Sequence, residues 1–238
     1  MTLKQNSIPR IALIHATPLA VAPVNEAFTQ LWPDTVLMNL LDDSLSADHA
    51  KNKGVLNDAM IQRFIDLAQY AKRTGADAIL FTCSAFGPAI EIARGAVGIP
   101  TLKPNEALFE DAISLAGTKT GDMALIATFE PSLAPMTMEF NDQSKARSFK
   151  GLLTQHYVPE AMAALGKGDT HTHHSLITSK VATLTNTSII LLAQFSMAAA
   201  KSVVEAKLST QGQSHVTVLT SPECAVLSLQ RTLNSIPN

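Results

Sequence analysis

Residues 12–28 read ALIHATPLAVAPVNEAF, and residues 124–140 read ALIATFEPSLAPMTMEF. Laid over each other without a gap, Ala12, Leu13, Ile14, Ala22, Pro23 and Phe28 meet identical residues at Ala124, Leu125, Ile126, Ala134, Pro135 and Phe140. The same 112-residue offset pairs Leu40 and Leu41 with Leu152 and Leu153, Gly54 with Gly166, and Ser84 with Ser196. Solenoid repeats run at roughly 20–50 residues, so this period is too long for one. It points instead to two duplicated α/β lobes. Two similar lobes facing each other make a cleft, a common seat for a small ligand. The lobes differ in one respect that bears on chemistry: Cys83 follows the buried run of the first, and the second has no cysteine at the matching place.

Outward from the repeat, short continuous apolar runs predict strands buried on both faces. They fall at Ile11–Ala16, Val36–Leu41, Ala78–Thr82, Met123–Thr128, Leu152–Tyr157, Ser188–Ala193 and His215–Thr220, with a short eighth at Pro100–Leu102. Helical periodicity lies between them. In Asn57–Thr74 the spacing of Met60, Ile61, Phe64, Ile65, Leu67 and Ala68 makes one apolar face. Further helices are predicted at Asn105–Ala116, Ser132–Ala146, Glu160–Leu165, Ser175–Leu184, Ser196–Leu208 and Glu223–Leu233. Alternating strand and helix imply parallel sheets joined by right-handed crossovers. The expected fold is therefore α/β: two pseudo-symmetric Rossmann-like lobes with parallel sheets and an active-site cleft between them. Residues 1–102 with 221–238 form the N-terminal lobe and 103–220 the C-terminal lobe, so that the closing helix returns to the first.

The composition excludes several classes. At 238 residues, 46% hydrophobic and 16% charged, the chain can bury a full core. A net charge of −2 with scattered lysines and arginines argues against nucleic acid or an anionic membrane as partner. The longest apolar stretches fall far short of the roughly 20 residues of a membrane span. The beginning, MTLKQNSIPR, has no apolar signal core, so a cytoplasmic protein is expected. Two distant cysteines in such a chain read as thiols rather than a disulfide.

Open α/β sheets bind ligands beyond the carboxyl ends of their strands. Those positions hold His15, Ala16, Thr17 and Pro18; Thr82, Cys83, Ser84 and Ala85; Thr128, Phe129 and Glu130; Gln194, Phe195 and Ser196; and Ser221 and Pro222. The set is rich in hydroxyls and poor in fixed charge, which suits a small carboxylate held by hydroxyls and helix-start N–H groups. Thr17, Pro18, Thr82, Ser84, Thr128, Gln194, Phe195, Ser221 and Pro222 are the predicted substrate-binding residues.

Cys83 precedes SAFGPAIEIA, where Gly87-Pro88 turns into a helix. A helix field at that point would lower the thiol pKa and make a thiolate accessible near neutrality, as base or nucleophile. The alternative is a small buried residue. Cys224, one turn into the last helix, reads as packing, and His15 as a hydrogen-bonded structural histidine. His171, His173 and His174 invite a zinc reading, but nothing nearby completes a ligand set and the segment reads as a loop and first helical turn. No metal site is therefore expected. Neither Gly166-Lys167-Gly168 nor any GxGxxG supplies a nucleotide fingerprint, and no cofactor is expected.

The segments ALIHATP, FTCSAFGP, IPTLKPNEALFEDA, ALIATFEPSLAPM, LLAQFSMAAA and LTSPECAV together resemble the aspartate/glutamate/hydantoin racemase superfamily, which also includes maleate isomerases and arylmalonate decarboxylases. The resemblance implies a cofactor-independent enzyme on a small carboxylate, and a homo-oligomer. Racemases of that kind set one cysteine from each lobe on opposite faces of the substrate carbon. Here the first matches Cys83, while the second is replaced: the family turn places Gln194 there and the internal offset places Phe195. Three readings follow. One is a racemase or isomerase using Cys83 with a partner such as Ser196, His15 or water. Another is a single-cysteine decarboxylase of a malonate-like acid, with addition to an activated double bond as a variant chemistry. The third is a non-catalytic carboxylate-binding protein.

Overall fold

The structure, a computed structural model, describes residues 8–117 and 122–236. The chain start, where the sequence shows no signal core, lies outside them through residue 7. The chain divides into two compact units, Met1–Pro104 with Ala225–Asn238, and Asn105–Cys224.

Unit 1 runs β1 (Arg10–His15), α1 (Val21–Leu31), β2 (Val36–Leu41), α2 (Ser44–Lys51), α3 (Asp58–Arg73), β3 (Ala78–Phe81), α4 (Gly87–Val97) and β4 (Thr101–Leu102). Its four strands are parallel in the order β2-β1-β3-β4. Unit 2 runs α5 (Glu106–Ala116), β5 (Asp122–Ala127), α6 (Leu133–Ala146), β6 (Leu153–Tyr157), α7 (Ala161–Gly166), α8 (Thr170–Val181), β7 (Thr187–Leu192), α9 (Lys201–Thr210) and β8 (Thr217–Thr220). It repeats the same order as β6-β5-β7-β8, again parallel. α10 (Ser221–Ser235) starts in unit 2 and continues in unit 1. The 112-residue offset holds at element level: β1 and β5 begin at Arg10 and Asp122, and the 3-10 turns after them at Pro18 and Glu130. Among the described residues no helix is long and apolar enough to cross a membrane.

The continuous apolar runs have a direct cause. Met123, Leu125 and Ala127 of β5 enter one core cluster with α5 and α6, while Ala124 and Ile126 enter another with α8 and α9. Ile189 and Leu191 of β7 divide from Ile190 and Leu192 in the same way. With both faces buried, side-chain alternation leaves no polar trace. The edge strands β2 and β6 do alternate toward solvent.

In unit 1, Met60, Phe64, Ala68 and Ala71 form the buried stripe of α3. The Phe64 ring packs at a tilt against Phe81, with centroids 5.7 Å apart, and against Phe86 at 5.0 Å, so α3 props up the end of β3 and the turn after it. Asn57 caps α3 by accepting the Met60 N–H at 2.9 Å. Replacing Asn57 by alanine is expected to lower stability by about 1 kcal/mol, read as a shifted urea midpoint with an unchanged slope.

Some predicted boundaries move. The histidine-rich segment belongs to α8 rather than a loop, because the Asp169 carboxylate caps the helix by accepting the Thr172 N–H at 3.0 Å. The helix predicted over Ser196–Leu208 divides into a 3-10 segment, Phe195–Ala200, and α9. α1 and α2 escape the periodic reading. α2 is eight residues long and largely polar, with only Leu45 buried.

Candidate active site

Cys83 follows β3 and opens the 3-10 turn Ser84–Phe86, which feeds directly into α4 with Pro88 in its first turn. The thiol is partly covered at its surface and packs on the unit 1 core. The Ala85 N–H donates to its sulfur, and this bond favours the thiolate. Burial acts the other way and is stronger, pushing the pKa up to about 11. This corrects the expectation of a thiolate near neutrality: one N–H from a three-residue turn does not offset the loss of water around the sulfur. At neutral pH Cys83 carries its proton. Its alkylation by iodoacetamide is expected to rise about tenfold per pH unit up to about pH 10. A plateau reached below pH 9, followed by mass spectrometry, would show the thiol to be far more acidic.

Thr82 donates its hydroxyl proton to His15 Nδ1 at 2.9 Å, and His15 Nε2 donates to Asn39 Oδ1 at 2.9 Å. Asn39 Oδ1 only accepts, so the proton sits on Nε2 and Nδ1 is the acceptor. Burial holds the His15 pKa below its usual value, against the opposing bond to Asn39. His15 is a neutral staple across β3, β1 and β2, with both ring nitrogens occupied. Thr17 caps the turn after β1, its hydroxyl oxygen accepting the Leu19 N–H at 3.4 Å, and Pro18 is exposed beside it. That turn is tied down from α2 by Ser46, whose hydroxyl donates to Ala16 O at 2.6 Å. Arg63 of α3 in turn holds Asp42 and Asp48, each at 2.7 Å.

In unit 2 the position opposite Thr82 in the repeat is Gln194, with 8% of its surface exposed. Its Oε1 accepts from the Thr128 N–H at 2.8 Å and the Thr128 hydroxyl at 2.7 Å, and its Nε2 donates to Ser132 Oγ at 3.0 Å. Ser132 passes its own proton to Phe129 O at 2.7 Å. The amide thus binds the end of β7 to the turn after β5, and the Thr128 hydroxyl proton is spent inside this network. Phe195 is buried, whereas Ser196 is half-buried with no side-chain hydrogen bond among the described residues. Phe129 and Glu130 lie exposed at the end of β5. Ser221 opens α10, buried, and donates to Asn105 Oδ1 at 2.7 Å; Pro222 beside it is buried too. Cys224 is buried in the core of unit 2 and hydrogen-bonded to Asp111; burial first, then Asp111, hold its thiol strongly protonated.

The strand-end hydroxyls are therefore less free than their sequence positions suggest. Thr82, Thr128 and Ser221 give their protons to neighbours, which leaves Thr17, Ser196 and backbone N–H groups as the better candidates for holding a ligand. Asn39, Ser132 and Asn105 escaped the sequence reading. Asn105 stood only as the start of a predicted helix, and Ser132 faces Ala20 in the repeat, so similarity between the lobes could not single it out.

Several solved structures share this fold. Glutamate racemase isoform RacE1 from Bacillus anthracis is 14% identical, the match covering 96% of this chain and 83% of that one, with a TM-score of 0.72. Aspartate racemase from Picrophilus torridus is 14% identical over 97% of this chain and 96% of that one, with a TM-score of 0.66. A cysteine-for-glycine mutant of arylmalonate decarboxylase, in a sulfate-associated form, is 18% identical over 97% and 95%, with a TM-score of 0.64. No family model matches the sequence, and no curated protein does. The chain has the α/β fold common to these racemases and the decarboxylase.

Proposed function

We propose that this protein is a cofactor-independent enzyme of the racemase/isomerase type that acts on a small carboxylate through Cys83. The observation that carries the reading is the placement of Cys83. It is a partly covered thiol at the carboxyl end of a central parallel strand, in a turn leading into a helix, on the fold that glutamate and aspartate racemases share. Thr17, Ser84 and the turn N–H groups hold the carboxylate, and Ser196 serves as the second proton-handling group. Thr82, Thr128 and Ser221, with Pro18, Gln194, Phe195 and Pro222, shape the strand-end surroundings. The same reading makes the enzyme a cytoplasmic homo-oligomer.

A second reading, decarboxylation of a malonate-like acid, is favoured by one specific observation: Cys83 holds its proton at neutral pH. In that reaction the carbon–carbon bond to one carboxylate breaks, carbon dioxide leaves, and the electron pair stays on carbon. The thiol proton then moves to that carbon, and the thiolate regains a proton from water. Racemization asks the same sulfur to lose its proton first, which burial opposes.

Proton NMR in deuterium oxide separates the readings, with a panel of aspartate, glutamate, hydantoins, maleate and substituted malonates and with Cys83→Ala as control. Cysteine-dependent deuterium uptake with loss of optical activity supports racemization. Cysteine-dependent carbon dioxide release with one deuterium gained selects decarboxylation, and conversion of maleate to fumarate selects addition. Competitor-reversible binding without turnover would overturn the enzyme reading in favour of a carboxylate-binding protein.

A further inference from the structure

His173 lies on the inner face of α8, one and two turns before Ile177 and Val181. Those two residues pack with Met197 and Ala200 of the 3-10 segment and with Val204 and Leu208 of α9. The His173 ring has no exposed surface, and among the described residues neither of its nitrogens has a hydrogen-bond partner. A neutral imidazole still carries one N–H, so this arrangement costs stability that an apolar side chain would not. A charged ring would cost more, and among the described residues its surroundings supply no compensating anion. α7 and the 3-10 segment contain no titratable residue. On α9, Lys201 is engaged with Glu223 at 2.6 Å, and Glu205 and Lys207 are exposed. On α8 itself the neighbours are cationic or convertible to cations. The His174 ring is 5.4 Å away, His171 is exposed two residues earlier, and Lys180 lies at the far end, near His156 of β6. Asp169 is committed to capping the helix.

We propose that His173 is an acid-operated latch, in which proton uptake by the buried ring releases the first turns of α8 from the 3-10 segment Phe195–Ala200 and from α9. The segment it frees begins immediately after Gln194, so acid loosens the end of β7 while the core strands stay paired. The latch is independent of the reaction assigned to Cys83.

The sign follows from burial, which together with repulsion from His174 pushes the ring pKa down to about 4 in the closed state. An opened ring titrates near 6.5. Closure is therefore at full strength above about pH 6.5 and weakens as pH falls toward 4. Hydrogen exchange read by mass spectrometry on the full chain at pH 7.0 and 4.5, corrected for intrinsic rates, tests this. In the wild type, peptides covering 170–181 and 195–208 are expected to exchange at least about tenfold faster at pH 4.5, with β1 and β3 unchanged. In His173→Phe, or in His173→Leu should the larger ring fail to pack, the same peptides are expected to show no acid response. Acid-independent exchange in the wild type would overturn the latch, as would an equal acid response in a folded variant.

Discussion

Replacing Cys83 by alanine is expected to lower turnover by about a thousandfold or more, while leaving the fold and the urea midpoint close to wild type. The size follows from the role proposed for it: a positioned proton donor or acceptor contributes about 10²–10⁴ in rate, and no other thiol stands at a strand end. Cys224 cannot substitute, being buried and hydrogen-bonded to Asp111. The pH profile of the wild type then tells which way the proton moves. With the thiol pKa near 11, a rate that needs the protonated form is level from pH 6 to 9 and falls only above about 10. A rate that needs the thiolate rises tenfold per pH unit over the same range. Rates of the wild type and Cys83→Ser on whichever panel acid reacts provide the check. Near-wild-type turnover in Cys83→Ala would remove the thiol from the mechanism altogether.

Gln194→Ala is expected to cost about 3 kcal/mol, because it strands the Thr128 N–H and the Thr128 hydroxyl in a buried place and removes the bond that Ser132 Oγ accepts. The loss concentrates on the turn after β5, whose residues Phe129 and Glu130 should become more open to exchange. Pairing Gln194→Met with Thr128→Val separates packing from hydrogen bonding. The double variant removes a donor along with its acceptor, so its cost is expected to fall below the sum of the single costs. Strict additivity in urea melts would mean that the amide and the threonine act independently.

Much of the chain's architecture was readable from its letters, and for identifiable reasons. The runs IALIH, AILF, MALIA and SIILL each lie in strands buried on both faces, where apolar residues predominate. The repeat around Ala12–Phe28 and Ala124–Phe140 coincides with matching strands and turns. Cys83 was found by its place after such a run. Less legible were positions set by partners distant in sequence. Asn39 looks like one polar residue in an edge strand until the His15 ring is placed beside it. Ser132 and Asn105 gain their meaning only from Gln194 and Ser221, 62 and 116 residues away. The start of α8 was placed late, at Ser175, with the histidine-rich segment read as a loop and first helical turn, although Asp169 caps the helix before it.

By itself, then, the sequence determined the α/β class, the duplication, the parallel sheets, and the single strand-end thiol. All of these follow from local periodicity and composition, which act over one element at a time. The tertiary structure alone decided the protonation and engagement of the groups around that thiol. Desolvation and hydrogen bonding depend on what folding brings within about 3 Å, so Cys83 is a protonated thiol rather than a thiolate. For the same reason His15 is a staple rather than a base, Gln194 is a buried clamp, and His173 is a buried ring with no hydrogen-bond partner among the described residues.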